Sequence, residues 1–251
     1  MVKSYVRLIC DPWLAAVLLT RLPLPRLADA AFQHSARAAW AYPLVGVLVG
    51  IIGTGVLHAT HAIGLDAWGA SGLALAAMML ATGAMHEDGL ADCADGFWGG
   101  TNKARRLEIM RDSQIGTYGV LALIIVTLFR WYAISTTLMQ GDWIAVIVAA
   151  CLSRAMMPLA MTSLPHARDD GLSRSVGAID AKTAMLSVLI GVVITIICFG
   201  ATGVVAVIAA LVVTAYVAGV ARHKIGGQTG DVLGAVQQLT EVAILVIFLV
   251  M

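Results

Sequence analysis

TAMLSVLIGVVITIICFGATGVVAVIAALVVTAYVAGV, residues 183–220, carries no charged side chain and is apolar almost throughout. A helix needs about 20 predominantly apolar residues to cross the hydrocarbon core of a bilayer, so this stretch is long enough to cross twice. Gly200 and Gly203 predict a tight turn near its middle, giving two spans at residues 183–199 and 201–220. Five further runs have the same character: 40–63, 68–85, 117–139, 143–161 and 236–251. Composition agrees: 60% of residues are hydrophobic and 12% charged, against about 25% charged in soluble domains. The predicted fold is all-α, a polytopic membrane helix bundle of about seven transmembrane helices forming one integral membrane domain over residues 1–251.

The N-terminus has some features of a secretory signal, with Lys3 and Arg7 ahead of the apolar run 13–20 and Ala28-Asp29-Ala30 beyond it. Asp11 and Pro12 interrupt the start of that run, and Arg21, Pro23, Pro25 and Arg26 separate it from the cleavage-like triplet. An interfacial or half-inserted helix is the better reading. The cysteines, Cys10, Cys93, Cys151 and Cys198, form no CxxC pair and read as small apolar residues, with a thiolate ligand at Cys93 the less favoured alternative.

Charge alternates from loop to loop. The connections at 64–67, 140–142 and around Gly200 are short and lack Lys and Arg. The alternate ones carry the cations: Lys103, Arg105, Arg106 and Arg111 in one, Arg168, Arg174 and Lys182 in another, Arg222 and Lys224 in a third. By the positive-inside rule the N-terminus and every long loop face the cytosol, so the active site is expected on that face. The net charge of +1 says nothing about nucleic acid, and no nucleic-acid partner is expected. No internal repeat supports a transporter built from inverted halves. Gly46, Gly50, Gly53 and Gly55 in the first span predict close helix packing.

The densest chemistry is His86-Glu87-Asp88-Gly89-Leu90-Ala91-Asp92-Cys93-Ala94-Asp95-Gly96. Asp88, Asp92 and Asp95 share one face of a helix. Carboxylates about 6 Å apart repel by roughly 2–3 kcal/mol at an effective dielectric near 20, which calls for protonation, an arginine or a divalent cation. Oxygen ligands favour Mg²⁺, with Mn²⁺ as the alternative; Glu87 and His86 add ligand and base capacity. Gly89 and Gly96 would let a large substrate approach the backbone. Arg105, Arg106 and Arg111 are candidate phosphate clamps, with Asp112, Ser113 and Gln114 beside them, and residues 113–119 read as an anion-facing helix start. Gly226-Gly-Gln-Thr229-Gly-Asp231 is either a phosphate or metal cradle or a helix cap, and lacks the P-loop pattern. Arg130 and Arg154 lie inside spans and must face the bundle or snorkel; Arg154 is placed to reach a substrate phosphate. His166, Arg168, Asp169 and Asp170 form a further substrate-facing loop.

These motifs resemble the cobalamin synthase family, the adenosylcobinamide-GDP ribazoletransferases. The likeness rests on 86–92, on Leu107-Glu-Ile-Met-Arg111-Asp-Ser113 and on 226–231, in that order, with Thr20-Arg21-Leu-Pro23 and Pro43-Leu-Val-Gly46 in support. Glu87 stands where the family has leucine. The resemblance implies a Mg²⁺-dependent enzyme of the inner membrane that joins adenosylcobinamide-GDP to α-ribazole or its 5′-phosphate and releases GMP. Asp88, Asp92 and Asp95, with Glu87, would hold metal; Asp92, Asp95 or His86 would act as base; the arginines would hold phosphate and Asp231 would approach from the last loop. Self-association and assembly with other late-pathway enzymes are further expectations. Two alternatives remain beside it: a phosphotransferase of the CDP-alcohol type and a cation-coupled transporter.

Overall fold

The computed structural model describes residues 2–25 and 27–251, with side chains from residue 10 onward; Arg26 and the side chains of Lys3 and Arg7, weighed above for a secretory signal, lie outside the described residues. Its helices are α1 (Val2–Leu19), the single turns α2 (Asp29–Phe32) and α3 (Ser35–Ala38), α4 (Tyr42–Ala62), α5 (Ala67–Thr82), α6 (Met85–Gly99), α7 (Lys103–Ile109), α8 (Thr117–Gln140), α9 (Ile144–Ser163), α10 (Leu172–Val176), α11 (Ala181–Ile225) and α12 (Gly230–Val250). The described residues contain no strand, only an isolated bridge between His166 and Gln228.

Five segments are long and apolar enough to cross a membrane (35–62, α8, α9, α11 and α12), and α5 with α6 adds a sixth as one broken span. Counting the limbs of α11 separately brings the tally to seven, as the apolar runs predict. Helix α11 is 45 residues long but leaves helical geometry at Gly200, with φ 52° and ψ −123°. A straight helix of that length would reach about 68 Å, twice the hydrocarbon thickness. Instead Gly203 lies against Thr195 across the break, where a Cβ would stand 2.6 Å from the Thr195 carbonyl oxygen. The two limbs are therefore a hairpin.

The glycines of α4 do what their spacing predicts at three positions of four. Gly46 and Gly50 lie on the backbone of α9 at Ala150 and Ile147, and Gly53 receives Met78 of α5; Gly55 meets nothing. Helix α1 packs on α3 and α4, pinned by Asp11, which accepts from Arg37 (2.7 Å) and from the Trp40 indole (3.2 Å).

The acidic segment does not continue α5 straight. It is the second limb of the broken span, helix α6, turned 87° from α5. Gly83 (φ 66°) and Ala84 (φ 55°) form the corner, closed by the Ala84 N–H on Met79 O (2.8 Å) and the Gly83 N–H on Leu80 O (3.2 Å). This is a Schellman cap with an alanine in the left-handed region, an uncommon and strained placement.

A buried ion network holds α6 in place. Arg130 of α8, 2% exposed, meets Glu87 at 2.7 Å and Glu241 of α12 at 2.9 Å. Gln238 accepts from Arg130 (3.0 Å) and donates to Glu87 (3.0 Å). Arg154 of α9 lies 3.5 Å from the other Glu241 oxygen and donates to Ala150 O at 3.1 Å. One ion network thus ties α6, α8, α9 and α12 together. Removing one partner of a buried pair leaves an uncompensated charge and costs about 3–5 kcal/mol. Arg130→Met should therefore lower the melting temperature of the detergent-solubilised protein sharply, and adding Glu87→Gln and Glu241→Gln should restore most of the loss. A single Arg130→Met variant as stable as the parent would show that the network does not hold α6.

Candidate active site

The three aspartates of α6 share a face but meet three environments. Asp88 is exposed, Asp92 half-buried and Asp95 buried. Asp95 accepts the N–H of Gly116 (2.7 Å) with one oxygen and that of Gly119 (2.9 Å) with the other. These are free donors at the start of α8, and a carboxylate is their natural partner. The sequence reading of 113–119 as an anion-facing helix start holds, but the anion is the protein's own Asp95. Its carboxylate is committed to α8, so its place here is not that of a metal ligand or base.

Asp88 and Asp92 stay available. They line a cleft of about 650 Å³ with Ala91 of α6 and the 110–115 turn, which includes Arg111, Asp112, Ser113 and Gln114. The Asp112 carboxylate shapes the turn by accepting from the Gln114 N–H at 3.1 Å. Asp231 joins them from α12. Gly89 permits this, because a Cβ there would lie 2.7 Å from the Asp231 carbonyl oxygen and 2.8 Å from its Cα. Asp92 consequently has Asp231, Asp88 and Asp95 as negative neighbours and Arg168 as the opposing cation. Gly89 and Gly96 were expected to admit substrate. They instead seat helix α12 and the α7 segment, the latter through Met110 and the Arg106 carbonyl.

Arg168 reaches the acids because its loop is stitched to the start of α12. The Gln228 N–H donates to Pro165 O (2.8 Å), and the Ala167 N–H donates to Gln228 O (2.9 Å). The Ser173 hydroxyl donates to the Gln228 side chain, whose amide faces His166 Nδ1 at 3.3 Å. Burial, followed by the charge of Arg174, holds the His166 imidazole below its ordinary pKa, which suits an acceptor role toward Gln228. So anchored, Arg168 stands 3.4 Å from Asp231 through Nη2 and 3.5 Å from Asp170 through Nε, and its Nε and Nη1 are buried without a hydrogen-bond partner. A guanidinium whose carboxylate neighbours do not fill its fork can exchange one of them for another anion. Arg111 joins the same rim through Asp170, at 2.7 Å and largely exposed.

The remaining predicted residues divide between support and site. Glu87, expected as a metal ligand, is 7% exposed and paired with Arg130; the bundle interior has claimed it. Arg154, expected at a substrate phosphate, is 2% exposed in the same network. Arg106 donates to the carbonyls of Gly100 (3.0 Å) and Lys224 (2.9 Å), tying α7 to α11. Arg105 pairs with Glu108 on the surface at 2.9 Å. His86 is 1% exposed, with neither ring nitrogen partnered. It lines a separate small cavity with Tyr42, Met157 and Leu233, two residues and hence about 200° around α6 from Asp88. Thr229 is a helix cap, its hydroxyl accepting from the Val232 N–H (3.3 Å) and donating to Asp231 (3.1 Å). Among the described residues no group of three His, Cys, Asp or Glu is close enough to hold a metal unaided.

Sequence reasoning missed Gln237, Gln238 and Glu241. The signal was present: two arginines inside apolar spans require counter-charge, and Glu241 is an acid well inside the last span.

Comparison with known proteins places this arrangement. The family model described as cobalamin-5-phosphate synthase matches residues 11–249. A protein from Mesorhizobium japonicum named adenosylcobinamide-GDP ribazoletransferase is 43% identical over 94% of this chain and 92% of its own. Proteins of the same name from Bradyrhizobium diazoefficiens and Azorhizobium caulinodans are each 42% identical, covering 95% of this chain and 93% and 95% of their own. No solved structure matches the chain. The match runs through every element that builds the cleft, from α6 to the start of α12, and the chain belongs to the cobalamin-5-phosphate synthase family.

Proposed function

We propose that the chain is an adenosylcobinamide-GDP ribazoletransferase, working at the cytosolic face of the cell inner membrane as one integral membrane domain. It joins adenosylcobinamide-GDP to α-ribazole or its 5′-phosphate, forming adenosylcobalamin or its 5′-phosphate and releasing GMP. The observation that carries this reading is the clustering of Asp88, Asp92 and Asp231 from two helices, opposite the Arg168 guanidinium 3.4 Å from Asp231. The names of the relatives support the same activity. Arg and Lys in the alternate loops support the cytosolic orientation.

The reaction needs a nucleophile, a stabilised diphosphate and a proton acceptor. The acceptor hydroxyl oxygen attacks the phosphorus joined to cobinamide, the bond from that phosphorus to the bridging oxygen breaks, and GMP leaves with that oxygen. Asp92 takes the hydroxyl proton in this reading, because Asp95 is spent on α8 and His86 faces another cavity. Arg168 and Arg111 hold the diphosphate. Ser113, Gln114 and Asp112 line the same cleft and orient the substrates.

The donor set fits Mg²⁺, or Mn²⁺ in its place. Asp88 and Asp231, with one oxygen of Asp92 whose other oxygen stays free for the proton, offer only hard oxygen ligands, and Mg²⁺ is commonly held by one or two carboxylates completed by substrate phosphates and water. Bound there, the ion would neutralise charge developing on the diphosphate.

GMP release by the purified protein supplied with both substrates tests the assignment; no release with Mg²⁺ present would overturn it, and release unchanged by EDTA would remove the metal. Asp88→Ala should abolish release at an unaltered melting temperature. Asp92→Asn should cut the rate about 10²–10⁴-fold, the usual worth of a general base. Asp95→Ala should behave differently and lose about 1 kcal/mol of stability with the α8 cap. Arg168→Lys, which keeps charge but loses the fork, should raise KM for adenosylcobinamide-GDP about tenfold, the worth of one charge-assisted hydrogen bond; an unchanged KM would remove Arg168 from the substrate.

A further inference from the structure

The side of α6 that carries no aspartate borders a groove the reaction does not use. Leu90, Cys93, Ala94 and Phe97 form its floor, with Ala122 of α8 and Leu239 of α12 beside them. Tyr216, Val217 and Val220 of the second α11 limb make the opposite wall of this space of about 570 Å³. A second space of about 700 Å³ shares Trp98, Tyr216 and Val220 and continues past Gly219 to His223 and Lys224. Together they make one apolar channel, enclosed between helices at α6 and open to the surface past Trp98, that ends at cations. Arg222 and His223 are exposed and Lys224 is half-buried. None of the ion pairs among the described residues involves any of the three. The Lys224 ammonium stands 5.4 Å from the centroid of the exposed Trp98 ring, and aromatic rings at such a border sit at lipid headgroup level.

We propose that this groove seats an acyl chain of an anionic phospholipid, with the lipid phosphate at Lys224 and His223. The channel is apolar along its length and cationic at one end, which is the inverse of such a lipid. A neutral lipid would leave the cationic end unmatched, and a free anion would leave the apolar length unfilled. Because the floor belongs to α6, the bound chain presses on the helix that presents Asp88 and Asp92. Lipid composition therefore acts on the cleft from behind, without contact with substrate.

The test is a binding measurement, independent of any assigned reaction. The full chain is reconstituted in phosphatidylcholine vesicles and titrated with phosphatidylglycerol brominated on its acyl chains, with tryptophan quenching as readout. A saturable component should appear that Trp98→Phe removes. It should saturate at about fivefold lower mole fraction than brominated phosphatidylcholine requires, the preference that one cation near an anionic headgroup confers. Lys224→Gln should erase that preference. Gly219→Leu should erase the saturable component with an unchanged circular dichroism spectrum, since a Cβ at 219 meets nothing within 4 Å and the added side chain is free to enter the groove. Ala215→Leu, from the same wall, gives the same reading should Gly219→Leu misfold. Equal saturation by both lipids, or parental quenching in both groove-filling variants, overturns the proposal. So does loss of the component on adding millimolar inorganic phosphate, which would make the rim a free-anion site.

Discussion

The ion network centred on Arg130 is the constraint on which the rest depends. A charge in a membrane bundle is expensive unless paired, and here two arginines and two glutamates from four helices pair with one another, leaving only Glu87 Oε2 and Arg154 Nε among their buried polar atoms without a hydrogen bond. Helix α6 could not hold its place by apolar packing alone. Its sequence, MHEDGLADCADGFWG, has four acids in fifteen residues. Its N-terminal turn is drawn into the bundle by Glu87, and its other end is fixed where Asp95 closes on α8. Between those anchors Asp88 and Asp92 are left facing the cleft.

The same economy explains the strained corner before α6. A left-handed alanine after Gly83 is tolerated because the Schellman bonds close the end of α5 and the ion network fixes α6 on the far side. The corner turns the chain by 87°, which lets a polar helix cross α12 at Gly89 and Gly234 rather than continue an apolar span. Gly234 lies against the His86 backbone, as Gly89 lies against Asp231. These close approaches bring two acidic helix starts together, a costly arrangement unless a cation or Arg168 compensates.

How much of this was legible in the sequence depends on the range of the interaction. Spans, loops, the break at Gly200 and the close packing at Gly46 and Gly50 follow from local composition, because the bilayer imposes length and polarity directly. The acidic segment, the 107–113 turn and the 226–231 turn were legible as a set, and Asp88, Asp92, Arg111 and Asp231 do converge. What local pattern could not supply was the partner of each charge. Asp95 and Glu87 are the same kind of residue as Asp88, and only the positions of Gly116 and Arg130 set them apart. Arg105 and Arg106 looked like Arg111, yet one pairs within its own helix and the other with backbone carbonyls. A charged residue is assigned by what lies opposite it, and that is a tertiary fact.

The commitment of Asp95 to α8 has a further consequence for the cleft. The free N–H groups of a helix start would have been a fixed, preformed anion site, and the protein has filled it. In the proposed reaction, positive charge for a substrate diphosphate would then come from side chains on loops, and those at hand are Arg111 and Arg168. Both depend on contacts between separate loops: Arg111 on Asp170, and Arg168 on the bridge from Pro165 and Ala167 to Gln228. Before substrate binds, Arg168 faces the same acids that the cleft presents. Under the proposed reaction an incoming diphosphate would compete with Asp231 for it, and a metal ion on the carboxylates would release it. Metal and arginine would then be coupled through Asp231, the one ionic contact that both would have to share.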